Sequence, residues 1–364
     1  MRARAQRKGI LILLPVLLGG LALGIAGRTE TTVRAIADLP GSCAYCRCVE
    51  EAFASSETSI DLLLADAELE GNPLWDGLLA AASRGVRVRV LLDASDWAAE
   101  ITEGNRPAIE FLRERGIEAR FDDPGVTTHA KLVIIDRRRV ILGSTNWNEH
   151  AFTEQAQANV EVVDDQVGAA LADYFERLWS GTLAPGAIDV SASAVSSGGT
   201  LVVALPDTAD TRNYGEVLRL LLAQAERSIH VVMYRASRYA AHGESLSNAI
   251  LDDLVAAAGR GLDVRVLLDD CAFYAESREA NLEAALYLAL HGVEVRFDDP
   301  DETTHAKLVV IDGETVLLGS TNWNYYSLEK NNEVDLAVIG FPALAATYEA
   351  FFRALWGKGR ALTE

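Results

Sequence analysis

The sequence predicts an α/β protein made of two tandem domains of the same fold, each a mixed, largely parallel sheet flanked by helices, following an N-terminal hydrophobic helix. The chain has 364 residues, a length that suits two domains of roughly 150 to 170 residues each. Strand-like and helix-like segments alternate along it, which is typical of a parallel sheet covered on both faces. Because its main motifs occur twice, 176 residues apart, we expect a pseudo-twofold axis between the domains.

The repeat extends over several segments. TTHAKLVIID at 127–136 recurs as TTHAKLVVID at 303–312, and GSTNWN follows each copy after six residues. VRVLLD and FDDP recur with the same offset, whereas the earlier strand-like segments SIDLLLA and SIHVVMY are 169 residues apart. A spacing this long indicates a duplicated domain and not a short-period solenoid.

The N-terminal 27 residues differ from the rest. A basic cluster precedes nineteen uncharged, mostly apolar residues, 9–27, which are enough to cross a bilayer as a helix. The basic flank predicts that this end stays in the cytoplasm, so we expect residues 1–27 to be a membrane anchor with the catalytic part outside the cytoplasm. The small residues near Ala26 leave a signal peptide, and therefore a secreted protein, as the alternative.

The first domain is predicted to span residues 28–180. The strand SIDLLLA leads to the helix PLWDGLLAAASRG, and the strand VRVRVLLD, the helix RPAIEFLRERG and the strand IEARFD follow. Both helices end at a glycine, Gly85 or Gly116, which is a common C-terminal signal. Residues 181–199, rich in Ser, Gly and Ala, are the predicted linker, and residues 200–364 repeat the pattern as the second domain.

Four cysteines are present, and three of them lie close together in CAYCRC: Cys43, Cys46, Cys48 and Cys271. In an exported protein they favour one or two disulfides, with unpaired thiols as the alternative. No nearby histidine completes a set of four metal ligands. We therefore predict neither a metal nor a cofactor.

Each long motif places a histidine and a lysine two residues apart in a β-rich run, and residues at this spacing share one face of a strand. The pairs are His129 with Lys131, and His305 with Lys307. A predicted turn and returning strand bring a serine and an asparagine back beside each pair: Ser144 and Asn146, and Ser320 and Asn322.

Two acidic residues, Asp136 and Asp312, lie at the ends of the predicted strands. Their spacing places them on the opposite strand face from the histidine and lysine. We count them among the candidate catalytic residues, with bracing of the turn as the competing interpretation. Trp147 and Trp323 directly follow the asparagines, and we expect them to pack in the core.

These side chains suit phosphodiester chemistry. An imidazole can attack phosphorus or transfer protons near neutral pH, and ammonium and amide groups can bind the non-bridging oxygens as charge develops. One half alone lacks a group to protonate the leaving alcohol. If the halves face each other, one histidine forms a phosphohistidine while the other protonates the leaving group and then activates the acceptor.

The doubled pattern His-x-Lys-x4-Asp-x6-Gly-Ser-x-Asn resembles the signature of the phospholipase D superfamily, and it is matched twice without a gap. The resemblance implies two phospholipase D-like domains that form a metal-independent phosphodiesterase or phosphatidyltransferase acting through a phosphohistidine. Superfamily members include phospholipases, cardiolipin synthases, phosphatidylserine synthases and nucleases. In several relatives with two motifs the first histidine is the nucleophile, which favours His129.

The superfamily also carries a downstream Asn-x-Glu, whose carboxylate orients a catalytic histidine. Asn331 and Glu333 match it in the second half. Asn159 and Glu161 match it in the first half, but four residues late. The resemblance thus implies orienting roles for Glu333 and, less regularly, for Glu161.

The substrate class remains open between two hypotheses. Phospholipids are our first expectation, as for a phospholipase D or a cardiolipin synthase, because a formal net charge of −20 repels polyanions at long range. The alternative is a nuclease, since GSTNW resembles the nuclease-like and mitochondrial branch. The two intact motifs argue against a catalytically silent binding protein, and their presence in one chain predicts activity as a monomer.

Overall fold

The computed structural model describes residues 31–95, 99–188, 190–270 and 274–362. The predicted N-terminal helix and Cys271 lie outside these ranges. Within them, no helix combines the length and the apolar character needed to cross a membrane.

The first half forms a sheet in the order β1-β7-β6-β5-β2-β3-β4. Its elements are, in chain order, β1 (Thr32–Asp38), α1 (Ala44–Ser55), β2 (Ser59–Leu64), α2 (Leu74–Ser83), β3 (Arg87–Leu92), α3 (Ala99–Glu114), β4 (Glu118–Phe121), β5 (Lys131–Ile135), β6 (Arg139–Gly143), α4 (Glu149–Thr153), β7 (Gln155–Val163) and α5 (Asp165–Trp179).

The second half forms a sheet in the order β17-β12-β11-β10-β14-β15-β16-β9-β8. Its elements are a 3-10 turn (Val190–Ser193), β8 (Ala194–Ser197), β9 (Thr200–Asp207), α6 (Asn213–Gln224), β10 (Ser228–Met233), α7 (Leu246–Gly259), β11 (Asp263–Leu268), α8 (Ala275–Leu290), β12 (Glu294–Phe297), β13 (Thr303–Thr304), β14 (Lys307–Ile311), β15 (Thr315–Gly319), α9 (Tyr325–Glu329), β16 (Glu333–Ile339), α10 (Pro342–Lys358) and β17 (Arg360–Ala361). The end of the predicted linker is therefore not free chain, because β8 pairs with β9.

The sheets are mixed, as predicted, but they are not largely parallel. Only β2, β3 and β4 in the first sheet, and β10, β11 and β12 in the second, run parallel within their own sheet. The other neighbours within each sheet are antiparallel. The reason is local: β5 and β6 are joined by residues 136–138 alone, and a parallel pair needs a crossover of about a dozen residues or more.

The apolar core forms three layers, one of which joins the halves. Helices α1 to α3 cover the outer face of the first sheet, and α6 to α8 cover the outer face of the second. The third layer lies between the sheets and includes apolar side chains of α5 and α10. Trp147 and Trp323 are fully buried in the outer layers, as predicted. Their indole N–H groups donate to the hydroxyls of Tyr45 and Tyr214, so the polar atom of each indole is paired.

The cysteines adopt one of the arrangements left open by the sequence. Cys43 and Cys46 form a disulfide at the start of α1. Cys48 is a free, buried thiol. The Cys43 sulfur also accepts the backbone N–H of Cys46, at 3.1 Å, as the N-cap of the helix.

Reciprocal backbone pairing joins the halves and shows the pseudo-twofold relation. Thr303 and Thr304 of β13 pair with residues Gln155 and Ala156 of β7. The corresponding bridge in the other direction joins Thr128 to Asn332. Both contacts lie immediately before a motif histidine, so the same pairing that joins the halves also positions the candidate site.

Candidate active site

The two motif histidines lie where the halves meet. The backbone N–H of His129 donates to the carbonyl of Asn332, and that of His305 donates to the carbonyl of Ala156, each at 2.9 Å. Each histidine is therefore held by the main chain of the opposite half. Neither half positions its own histidine alone.

Each motif lysine is the first residue of the strand that follows its histidine. Lys131 Nζ donates to the carbonyl of His129 at 2.5 Å, and Lys307 Nζ donates to the carbonyl of His305 at 2.6 Å. Both lysines are almost completely buried. Burying an ammonium group is unfavourable without compensation, and a phosphate anion in the site would supply it.

The His129 ring is oriented by a carboxylate from the opposite half. Its Nδ1 lies 3.0 Å from Oε2 of Glu333, and Glu333 is fully buried in β16. Asn331 Nδ2 donates to the other carboxylate oxygen at 3.2 Å. Because an ionised carboxylate only accepts hydrogen bonds, Nδ1 carries the proton and Nε2 keeps its lone pair.

His305 has a different partner. Its Nδ1 lies 3.0 Å from the backbone carbonyl of Ser144, which again places the proton on Nδ1. The ring of Tyr234 packs edge-on against His305 at a centroid distance of 4.7 Å, and Lys307 Nζ lies 4.8 Å from the same ring. Sequence reasoning missed Tyr234. Its counterpart in the first half is Ala65. Alignment of the two halves therefore shows that the residues differ, but it does not show that Tyr234 contacts His305.

The orienting role predicted for Glu161 is wrong in this structure. Glu161 lies further along β7, where it pairs with Arg34 at 2.8 Å and Arg139 at 2.5 Å. The position that corresponds to Glu333 is Gln157, at the regular offset of 176 residues. A shift of four residues keeps the strand face but moves a side chain about 13 Å along the strand. This is why the late match does not reach His305.

Asp136 and Asp312 do not reach the histidines. The Asp136 carboxylate accepts the backbone N–H groups of Glu57, Thr58 and Ser59 at 2.7 to 3.0 Å, and Asp312 binds the equivalent N–H groups before β10. Each lies at the far end of its strand, about 16 Å from the lysine at the start. Both also have positive φ, 53° and 56°, a conformation that Asp adopts more readily than most residues. They brace the turn, so the contacts do not support a catalytic assignment.

The glycine and serine of each GSTNW segment pack the motif strand against its neighbour. A Cβ atom at Gly143 would lie 2.5 Å from Cα of Asn159, so only glycine allows β6 and β7 this close. Ser144 Oγ donates to Gln157 Oε1 at 2.6 Å and accepts the N–H of Ala158 at 3.0 Å. Ser320 accepts the N–H of Val334 in the same way. The serines therefore support the strands that carry Gln157 and Glu333 instead of facing a ligand.

The motif asparagines keep open hydrogen-bonding capacity. Asn146 and Asn322 occupy corresponding positions, and in each the Oδ1 atom is buried with no hydrogen-bond partner among the described residues. Buried amides are normally paired. An amide oxygen only accepts hydrogen bonds, so a phosphate oxygen would have to be bound by the Nδ2–H groups of these asparagines.

Burial and mutual charge tune the site. Burial lowers the pKa of Lys131 to about 8. Burial also lowers the pKa of His305 well below its usual value, and the charges of Lys307 and Lys131 add to this effect. At His129 burial lowers the pKa while the Glu333 carboxylate opposes the shift. Burial would raise the pKa of Glu333, but His129 and Lys131 outweigh it and lower that pKa. Near neutral pH the site therefore combines a largely cationic Lys131, neutral imidazoles and the Glu333 carboxylate.

Comparison with protein families places both halves in one group. The family model described as "Cardiolipin synthase, PLD-like domain" matches residues 49–179 and 218–356. These two segments make up more than half of the chain, and each contains one copy of the histidine–lysine motif.

Individual relatives match shorter regions. A human protein named "Mitochondrial cardiolipin hydrolase" is 34% identical over 163 residues, which are 42% of this chain and 62% of the relative. A "Phospholipase D" of Rickettsia bellii (strain RML369-C) is 36% identical over 103 residues, 28% of this chain and 46% of the relative. The matched regions thus cover less than two thirds of either relative.

One solved structure shares almost the whole architecture. The phosphatidylserine synthase of Haemophilus influenzae Rd KW20 superposes with a TM-score of 0.71 over 91% of this chain and 87% of its own. The sequences are 12% identical. The similarity therefore shows a shared two-domain fold.

Proposed function

The chain belongs to the phospholipase D superfamily, in the family described as "Cardiolipin synthase, PLD-like domain", and on this basis we propose that it is a phospholipase D-like enzyme that hydrolyses or transfers the phosphodiester of a phospholipid. The observation that carries the proposal is the meeting of two histidine–lysine pairs at the junction of the halves, each held by the main chain of the other half. The names of the relatives, a cardiolipin hydrolase and a phospholipase D, support phospholipids as the substrate class.

In the proposed reaction His129 is the nucleophile. The Glu333 carboxylate holds its Nδ1–H at 3.0 Å, so the Nε2 lone pair is directed away from Glu333 and is available to attack phosphorus. A bond forms between Nε2 and phosphorus while the bond from phosphorus to the leaving alcohol breaks. The imidazole becomes cationic in this step, and the adjacent carboxylate stabilises that charge.

His305 handles the protons. It protonates the leaving alcohol oxygen, and it then takes a proton from water or an acceptor alcohol, which attacks phosphorus and releases His129. The pKa of His305 is lowered by burial and by the two lysine charges. A bound phosphodiester anion offsets those charges and raises that pKa, so we propose that His305 gains its proton together with the substrate.

The lysines and asparagines bind the phosphoryl oxygens in this scheme. Lys131 and Lys307 supply positive charge, and the side-chain Nδ2–H groups of Asn146 and Asn322 donate to the oxygens. Developing charge on the non-bridging oxygens is then stabilised by groups already in place. The proposed reaction is for this reason independent of metal ions.

The direct test is an activity assay with full-length protein in EDTA. Vesicles of phosphatidylglycerol or cardiolipin should give phosphatidic acid in the absence of ethanol and phosphatidylethanol in its presence. His129→Ala and His305→Ala should each lower the activity on phospholipids at least about 100-fold, while His291→Ala, at an exposed histidine outside the site, should not. Absence of product from every phospholipid would overturn the proposal, and cleavage of single-stranded DNA in the same buffer would identify a nuclease instead.

We also propose that residues 1–27 tether the enzyme to a membrane with the catalytic part outside the cytoplasm. The support is the uncharged segment 9–27 behind a basic cluster. The full-length chain should sediment with membranes and its body should be accessible to protease from the non-cytoplasmic side. A soluble product whose N-terminus begins near residue 28 would instead show a signal peptide.

A further inference from the structure

We infer that two pairs of aspartate carboxyl groups, Asp93 with Asp122 and Asp269 with Asp298, position the two catalytic histidines and do so while each pair retains one proton. The inference rests on the proposed function, because it treats His129 and His305 as catalytic. It assigns a role to VRVLLD and FDDP, the two repeated segments that the proposed chemistry does not use.

Sheet register brings each pair together. Leu92 of β3 is opposite Phe121 of β4, so the next residues, Asp93 and Asp122, leave the carboxyl ends of two adjacent parallel strands side by side. Parallel neighbours lie about 4.8 Å apart. The second half repeats the arrangement, because Leu268 is opposite Phe297 and the next residues are again aspartates.

In the first half both carboxyl groups converge on Thr128. The backbone N–H of Thr128 donates to Asp93 Oδ1 at 2.6 Å, and the Thr128 hydroxyl lies beside the Asp122 carboxyl group. Asp122 Oδ1 also accepts the N–H of Ala94, while its Oδ2 is buried and has no hydrogen-bond partner among the described residues. A buried oxygen without a donor is far better tolerated when it carries a proton than when it shares a negative charge.

In the second half the convergence is closer. The N–H of Thr304 donates both to Asp269 Oδ2, at 2.6 Å, and to Asp298 Oδ2, at 3.1 Å. Because one N–H reaches an oxygen of each carboxyl group, the two groups lie side by side. Two adjacent buried carboxyl groups repel each other when both are ionised, so one proton per pair is the state that fits the contacts.

Each threonine links its aspartate pair to the neighbouring histidine. Thr128 and Thr304 directly precede His129 and His305, and each lies in the backbone bridge to the opposite half. Thr128 Oγ1 additionally accepts from Asn332 Nδ2 at 2.9 Å. A displacement of the threonine therefore moves the histidine relative to the other half, and shifts of about 1 Å are costly to catalysis.

The surroundings favour the singly protonated pairs. Burial and the neighbouring Asp93 charge raise the pKa of Asp122 to about 7, and burial and Asp269 raise that of Asp298 to about 8. The polar and charged groups around the first pair are Ser95, Thr128, Lys131 and Tyr174. Around the second pair they are Thr304, Asp270 and Arg360, the last two of which pair with each other.

The sign of the pH effect follows from the raised pKa values. The protonated carboxyl groups stabilise the folded state fully below the unfolded-state pKa near 3.8. This stabilisation is lost as pH rises through about 7 for Asp122 and about 8 for Asp298. Above those values two charges share one buried position, and their repulsion displaces the threonine. Activity should then decline on the alkaline side.

The test compares a neutral mimic with a truncation. Asp122→Asn and Asp298→Asn, alone and combined, should preserve kcat near pH 6.5 and move the alkaline midpoint of the kcat profile upward by about half a pH unit or more. Asp122→Ala should lower kcat about tenfold with little change in KM, because it removes a contact that holds the histidine. Asp173→Asn, at an exposed aspartate, is the matched control and should change neither.

Thermal unfolding as a function of pH tests the inference in variants whose activity is too low to measure. Thermal unfolding of the wild type should lose stability between about pH 4 and pH 8, and the double Asn variant should lose less. An unchanged alkaline midpoint together with an unchanged stability profile would overturn the inference. If the wild type cleaves no phosphodiester, the proposed function fails instead, and the stability profile still reports on the pairs.

Discussion

The two halves of the chain have the same fold and the same motif, yet they hold their histidines differently. His129 is bound by the buried carboxylate of Glu333, whereas His305 is bound by the backbone carbonyl of Ser144. The carboxylate is present on one side only, because Gln157 occupies the equivalent position in the first half. A symmetric motif thus yields two chemically distinct histidines, as a reaction with one nucleophile and one proton donor requires.

Removal of the histidines is expected to have the largest effect and to show whether their roles differ. His129→Ala should lower kcat by more than about 10⁴-fold on any substrate, because the proposed phosphohistidine can no longer form. His305→Ala should lower it about 10²- to 10⁴-fold on phospholipids, but much less on a p-nitrophenyl phosphodiester, whose leaving group needs no proton. Equal losses on both substrates in both variants would contradict the division of roles.

The same variants test whether one chain is sufficient. A mixture of His129→Ala and His305→Ala should remain inactive, since each chain contains one defective site and the halves pair within the chain. Recovery of activity on mixing, measured over a range of protein concentrations, would show that sites form between chains.

The orienting carboxylate is the next position to change. Glu333→Gln should lower kcat about 10²-fold or more, because an amide no longer fixes the tautomer of His129 or stabilises its positive charge. Adding Gln157→Glu to the Glu333→Gln variant should not restore the activity, since Gln157 contacts Ser144 and not His305. Pre-steady-state detection of the phosphohistidine separates a slower first step from an altered KM. A twofold or smaller change in Glu333→Gln would contradict the asymmetry.

The aspartates of the motif should affect stability more than turnover. Asp136→Ala removes the acceptor of three backbone N–H groups, so the free energy of unfolding should fall by about 1 to 3 kcal/mol. Its pKa is lowered by those hydrogen bonds against the opposing effect of partial burial. The stabilisation is accordingly present above the unfolded-state pKa and is lost as pH falls. Denaturant titrations and measurements of kcat together test this prediction. A large loss of kcat in a folded Asp136→Ala protein would show that Asp136 has a catalytic role.

The smallest effects are expected on the outer surface, where the halves also differ. Leu282, Leu286 and Leu290 of α8 are exposed, whereas the corresponding residues of α3 are Arg106, Glu110 and Glu114. Exchange of the leucines for these charged residues should change the free energy of unfolding by less than about 0.5 kcal/mol. Thermal unfolding checks this, and a loss of several degrees in the midpoint would show that the helix packs more tightly than its exposure indicates.

The sequence was sufficient for features that repeat or that follow local periodicity. The histidine–lysine pairs, the α/β alternation, the buried tryptophans and the duplicated domain could all be identified without coordinates. The strand directions could not, because a short turn and a helical crossover leave similar apolar strand patterns. The strand β8 inside the predicted linker could not be identified for a related reason: its small residues do not show that they form an edge strand.

What the sequence by itself determined is the chemistry available: two imidazoles, two ammonium groups and two amides in matched positions, all in one chain. What only the tertiary structure decided is which partner each of them has. Glu333 meets His129 across 204 residues of chain, Glu161 binds two arginines, Tyr234 packs on His305, and Asp136 braces a turn. These contacts depend on strand register and on how the two sheets approach each other, and a motif specifies residue types and spacing but not which side chains meet across an interface.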